Sequence, residues 1–168
     1  MKNFAYFFFT LFALVLLLGN VIMAQSRKTI ILIRHAEKAD ATSADPELSA
    51  AGRERALRLV KTIGKYKPGA FYSTDFKRTR DTLAPLAGKR KKQVQIYDAK
   101  NPQKLFDEMM QSKTKRFIVA GHSNTIPGLA NLMTKKDLFK NLEDSEYGAI
   151  WVIRIKNGQI QKVEILPY

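Results

Sequence analysis

The 168-residue chain has no cysteine, so disulfides, thiolate metal ligands and a thiol nucleophile are all excluded, and its stability must come from packing. Histidine is nearly absent as well, with two in the whole chain, and there is a single tryptophan. Acidic residues are few: 15 Asp and Glu stand against 29 Lys and Arg, a formal charge of +14. That excess favours anionic substrates or surfaces. The basic residues are dispersed along the chain with no interleaved aromatic pattern, which argues against nucleic acid as a partner. Internal repeats, low-complexity tracts and linkers are lacking too.

What is present begins with an N-terminal segment of its own kind. Lys2 precedes an apolar stretch from Phe4 to Leu18, relieved by Thr10, and then come Gly19-Asn20, the small Ala24 and the polar Gln25-Ser26-Arg27-Lys28. This is the order of a secretory signal, basic then apolar then a small-residue exit. Cleavage after Ala24 leaves 25–168 as one domain, with 28 basic against 15 acidic residues and a charge of +13. Phe4–Ala24 also reaches the roughly 20 residues that span a bilayer, so a retained anchor is the alternative. With no cysteine at the exit, a lipid-anchored form is excluded. The expectation is an exported protein, periplasmic or secreted, without stable membrane association unless the segment is retained.

The rest alternates. Short β-branched or apolar runs at Thr29–Ile33, Ala70–Tyr72, Val94–Tyr97 and Phe117–Ala120 read as strands. Between them lie helical patterns: one opened by Leu48-Ser49, with Ser49 as N-cap and Ala56, Leu59, Val60 and Ile63 on one face; one over Phe76–Leu86; one opened by Asn101-Pro102; and one from about Ile126 to Met133. Lys156-Asn157-Gly158 between the apolar runs Ala149–Ile155 and Gln159–Leu166 signals a hairpin. The implied fold is α/β, a three-layer αβα sandwich with a mostly parallel sheet and a C-terminal antiparallel hairpin.

Both histidines directly follow predicted strands, in Arg34-His35-Ala36-Glu37 and Gly121-His122-Ser123. Open α/β sheets place ligand sites at such strand ends. A neutral imidazole can attack phosphorus, and phosphoryl transfer then needs concentrated positive charge, for which the bidentate guanidinium is suited. Arg34 and Arg78 are the candidates, with Thr74 as a cap that opens the helix carrying Arg78. His122 completes the set as a donor to phosphoryl oxygens.

These residues resemble the histidine phosphatase superfamily. Its Arg-His-Gly signature stands as Arg34-His35-Ala36, its Leu-Ser/Thr-x-x-Gly helix as Leu48-Ser49-Ala50-Ala51-Gly52, its Ser-x-x-x-Arg-x-x-x-Thr element as Thr74, Arg78 and Thr82, and its Gly-His segment as Gly121-His122. The resemblance implies a phosphoglycerate mutase-like fold, His35 as nucleophile, Arg34, Arg78 and His122 as the phosphate pocket, a small phosphorylated substrate, and no metal or organic cofactor. Within the superfamily the chain is similar to the small, single-domain protein-histidine phosphatases. Ala36 replaces the usual Gly, and the acidic proton donor of many members has no clear counterpart. Asp98, after the third strand, and Glu37, beside the nucleophile, are the candidates for that role, and Glu37 and Asn124 are candidate substrate contacts. A mutase-like phosphotransferase and a non-catalytic anion-binding envelope module are the rival readings.

Overall fold

A computed structural model describes residues 26–40 and 42–168. The signal or anchor expected over 1–24 lies outside the described residues. Strands β1 (Arg27–Arg34), β2 (Ala70–Ser73), β3 (Val94–Ile96), β4 (Arg116–Gly121), β5 (Ala149–Lys156) and β6 (Gln159–Pro167) form one sheet in the order β3-β2-β4-β1-β5-β6. The first four run parallel, β5 pairs antiparallel with β1, and β6 antiparallel with β5. Helices α1 (Ala50–Gly64), α2 (Lys77–Lys89), α3 (Pro102–Gln111) and α4 (Thr125–Thr134) connect the strands.

The layering is set by β1. Ile30, Ile31, Leu32 and Ile33 are all fully buried, as a parallel strand covered on both faces requires. Successive side chains point to opposite faces. Ile30 and Leu32 therefore join one core with Leu105 and Met109 of α3 and Leu129 and Met133 of α4. Ile31 and Ile33 join the other with Leu59 and Ile63 of α1 and Leu83 and Leu86 of α2. The expected three layers are present.

Local signals work as the sequence suggests at several ends. The Ser49 hydroxyl accepts from the Gly52 N–H (3.0 Å), and the Asn101 side chain accepts from the Lys104 N–H (3.3 Å) ahead of Pro102. Asn157 and Gly158 both have positive φ, 50° and 77°, the mirror-image turn that matches strand twist in a two-residue hairpin. Thr74 departs from its expected capping role. Phe76 occupies the N-cap of α2 with no side-chain bond, and Thr74 is turned inward. The same helix also continues past Leu86 to Lys89, through Pro85.

Gly52 shows why a glycine stands on α1. A Cβ at that position sits 2.2 Å from the Glu37 carbonyl oxygen, the atom that also accepts from the Ser49 N–H (2.9 Å). The helix thus lies directly against the loop after His35. A Gly→Ala change inside a helix ordinarily stabilises by about 0.5–1 kcal/mol. Here the sign reverses: Gly52→Ala is expected to destabilise by about 1–3 kcal/mol, because backbone must shift to relieve the overlap. A urea midpoint equal to or above that of the wild type overturns this account.

Candidate active site

Three adjacent strands, β2, β4 and β1, deliver the site from their C-terminal ends. Arg34 is in register with Gly121, and Ser73 with Ala120. The His35 N–H continues the ladder by donating to the Gly121 carbonyl (2.9 Å). His35 and His122 consequently emerge side by side, with ring centroids 5.3 Å apart in an edge-to-face arrangement. Gly121 is required at this crossing: a Cβ there meets Thr125 Oγ1 at 2.6 Å and Tyr97 Oη at 2.9 Å. Arg78 reaches the same place from the first turn of α2, where the positive end of the helix adds to the local potential.

Together Arg34, His35, Arg78 and His122 line a cavity of about 270 Å³, with Lys38, Ser123 and Asp144 at its edge. Arg34 is 3 % and His35 5 % exposed. The His35 Nδ1 lies 2.7 Å from the Ala36 carbonyl, which can only accept, so Nδ1 carries the proton and Nε2 the free lone pair. The same logic applies to His122. Arg78 Nη2 approaches its Nδ1 at 3.5 Å and can only donate, leaving Nε2–H to donate to the Thr74 hydroxyl (3.0 Å).

Electrostatics hold both rings neutral. Burial, together with the charges of Arg78 and Arg34, pushes His35 down to about 3; its bond to the Ala36 carbonyl opposes this only in part. Burial and the two arginines lower His122 to about 4. Arg78 is itself pushed below the ordinary arginine value, chiefly by desolvation. The guanidinium groups are supported from behind. Arg34 Nη1 donates to the carbonyls of Glu143 (2.6 Å) and Glu146 (3.0 Å), its Nη2 lies 3.6 Å from Asp144, and its plane stacks 4.2 Å from the centre of the Tyr147 ring. Arg78 stacks on Phe76 at 4.5 Å and has Asp45 at 3.8 Å. Yet Nε of Arg34, and Nε and Nη1 of Arg78, are buried without a hydrogen-bond partner. Buried donors of this kind are costly.

Thr82 locks the two arms. Its hydroxyl accepts from the Ala36 N–H (2.9 Å) and donates to the Arg78 carbonyl (2.7 Å), fixing the loop after His35 to the helix that bears Arg78. Thr74, whose hydroxyl also donates to Thr79 (3.0 Å), positions His122.

Three candidates from the sequence stand outside this group. Asp98 accepts from the Lys100 N–H (2.9 Å) in the turn before α3 and lines a separate depression with Tyr97, Lys104 and Glu108, so the structure does not bring it to the cavity. Glu37 is held by Arg55 through bonds of 2.5–3.0 Å, which also keep its carboxyl below the usual range; it fastens the loop to α1 rather than facing substrate. Asn124 is exposed at the start of α4 and does not line the cavity, whereas its neighbour Ser123 does. Conversely, the segment 143–147, which supplies the carbonyls, Asp144 and Tyr147, carries no motif by which the sequence announces it. The acidic run Glu143-Asp144-Ser145-Glu146, unusual in so basic a chain, is the one signal that points there. Among the described residues there is no cluster of three or more His, Cys, Asp or Glu able to hold a metal ion.

The lowered imidazoles make stability depend on pH. Between their folded values and the ordinary 6.5, the unfolded chain binds protons that the folded chain refuses, so stability is full above about pH 6.5 and declines as pH falls toward 4. Urea midpoints at about pH 7 and about pH 5 read this directly. The wild type is expected to lose stability over the interval, and a His35→Asn/His122→Asn double variant to lose less; equal losses contradict the assignment.

Known proteins share this geometry's framework. Residues 30–100 match the histidine phosphatase superfamily (branch 1), a stretch that runs from β1 through Arg78 to the turn after β3. No curated protein matches the chain in sequence. Among solved structures, an alpha-ribazole-5'-P phosphatase candidate of Escherichia coli K-12 superposes with a TM-score of 0.70 at 12% identity, covering 84% of this chain and 96% of that one. A mycobacterial glucosyl-3-phosphoglycerate phosphatase gives 0.63 at 12% identity, covering 84% and 97%. A phosphoserine phosphatase variant of Entamoeba histolytica in complex with phosphoserine gives 0.65 at 16%, covering 81% and 96%. At these identities the structural likeness speaks for the fold alone. The matched stretch holds three of the four motifs, so over residues 30–100 the chain is similar in sequence to the histidine phosphatase superfamily, and its fold is similar to that of these phosphatases.

Proposed function

We propose that the protein is an exported phosphohydrolase that cleaves small phosphorylated compounds through a phosphohistidine on His35. The observation that carries this reading is one cavity lined by the Arg34 and Arg78 guanidinium groups beside an imidazole with a free Nε2 lone pair. The similar solved structures named above are themselves described as phosphatases, which agrees with it.

In the first step Nε2 of His35 attacks phosphorus, a P–N bond forms, and the bond to the leaving oxygen breaks, that oxygen taking a proton. Arg34 and Arg78 hold non-bridging oxygens as charge builds on them, and that added negative charge favours a proton on His122, whose Nδ1–H then donates to a third. In the second step water attacks phosphorus, the P–N bond breaks, and inorganic phosphate leaves with His35 regenerated. The neutral state of His35 keeps its lone pair available well into acidic solution. Asp144, the acidic residue among those lining the cavity, donates the proton to the leaving oxygen from its acid form and recovers it from the attacking water in the second step, or else water supplies it. The N-terminal Lys2, apolar stretch and Ala24 support export to a periplasmic or external site.

His35→Ala is expected to abolish turnover of an aryl phosphate and to prevent trapping of a radiolabelled phosphoenzyme in samples quenched during turnover. Arg78→Ala and His122→Ala should each lower kcat by about 10²–10³, the range for one preorganised donor. Arg80→Ala should change little, since Arg80 pairs with Asp75 outside the cavity. Activity without a trappable phosphoenzyme sinks the covalent mechanism, and an active His35→Ala protein sinks the reading altogether.

The proton donor is separable by leaving group. If Asp144 serves, Asp144→Asn slows alkyl phosphates far more than nitrophenyl phosphate, whose leaving group scarcely needs a proton. Equal effects on both assign the proton to water. Asp98→Asn is expected to act on the two substrates alike.

A further inference from the structure

The chain's positive charge looks dispersed in sequence, and folding gathers it. The connections at the N-terminal ends of β1–β4, opposite the cavity, are residues 26–28, 64–69, 88–93 and 111–116, and the hairpin spanning 154–162 turns at the same end. These segments hold about half of the chain's 29 Lys and Arg and none of its 15 Asp and Glu. Lys65, Lys67, Lys92, Lys113, Lys115 and Arg116 are exposed there. Lys28 is turned inward, where it holds the loop before β4 through the Ser112 and Thr114 carbonyls. Acidic residues come near as well, Asp107 and Glu108 in the last two turns of α3 among them. Glu164 is occupied by Arg154 and Lys162, and Asp137, after α4, accepts from Asn131. The opposite end carries Asp40, Asp45, Glu47, Asp75 and the run Glu143–Glu146.

Bases at helix C-termini offset the helix dipole, which accounts for Lys61 and Lys89 in the last turns of α1 and α2. It does not account for Lys113, Lys115 and Arg116, which lie beyond α3, or for Lys91 and Lys92. A second observation names the partner. The Ser26 carbonyl accepts from the Asn157 N–H (2.8 Å), so the chain enters the domain at this basic end. In sequence the apolar stretch ending at Leu18 lies eight residues earlier, a distance that extended chain bridges over at most about 28 Å.

We propose that this end of the domain is a docking surface for an anionic lipid bilayer, which turns the cavity away from the membrane toward the surrounding solution. With the segment over 4–24 retained, it and the basic face bind one surface together, and each basic side chain near an anionic bilayer contributes about fivefold in partitioning. The inference rests on charge and topology and not on the catalytic reading.

The absence of cysteine makes the test clean. The full chain carrying Gln93→Cys at the basic end, or Gln103→Cys at the start of α3 on the opposite end, is labelled with a fluorophore and reconstituted with phosphatidylcholine vesicles, with or without phosphatidylglycerol. Acrylamide, an uncharged quencher, reads exposure. The expected result is at least about a threefold loss of quenching at position 93 with phosphatidylglycerol only, none at position 103, and recovery near 1 M salt, where charges are screened within about 3 Å. The variant Lys65→Glu/Lys92→Glu/Lys113→Glu/Lys115→Glu should abolish the shielding while leaving circular dichroism and aryl phosphate turnover unchanged. Equal quenching on both vesicles, shielding at both positions, or shielding that survives charge reversal overturns the proposal. So does shielding of position 93 by a single-stranded oligonucleotide under salt at which phosphatidylglycerol vesicles give none, which assigns the face to nucleic acid.

Discussion

Two guanidinium groups and two imidazoles are held together in a cavity with too few acceptors for them. Like charges at this separation, partly withdrawn from water, repel one another, and donors left unpaired cost more still. The arrangement persists because everything around it is anchored elsewhere. Arg34 is clamped from behind by two backbone carbonyls and a tyrosine ring, Arg78 rests on Phe76, and the imidazoles respond by staying neutral. Repulsion is thus reduced at the imidazoles, where a proton can leave, while the arginines keep their charge.

The loop after His35 is the piece most constrained by its neighbours. Its Ala36 N–H is taken by Thr82, its Glu37 carbonyl by Ser49, its Glu37 carboxylate by Arg55, and its backbone leaves room on α1 only for a glycine. The small and hydroxyl residues on α1 and α2 therefore serve geometry rather than chemistry. Ala36 in place of glycine fits this picture. The residue is fully buried and is not among those with positive φ, so the methyl group meets no backbone strain there.

The domain is also polar as a whole. Acidic side chains gather around the cavity end, where Asp45 and Asp144 approach the arginines, and basic ones gather at the far end. A net charge of +14 by itself suggests a generally cationic surface. Its distribution makes the two ends of the sheet electrostatically different objects, one with acidic side chains around two arginines and two histidines, the other a face of lysines and arginines.

By itself the sequence determined the layered α/β fold, the order of its elements and the hairpin turn, and it pointed to His35, Arg34, Arg78 and His122, which the structure places around one cavity. Local rules suffice for these: a buried parallel strand reads as an apolar run, Asn-Gly adopts the turn, and residues just past a strand emerge at its C-terminal end. Only the tertiary structure decided that Glu37 pairs with Arg55, that Asp98 stays in its own turn, and that residues 143–147 return to support Arg34. It also decided that lysines far apart in sequence share one face. Those outcomes depend on which loops packing brings together, and a loop's neighbours are set by strand order, β3-β2-β4-β1-β5-β6, which no local pattern encodes.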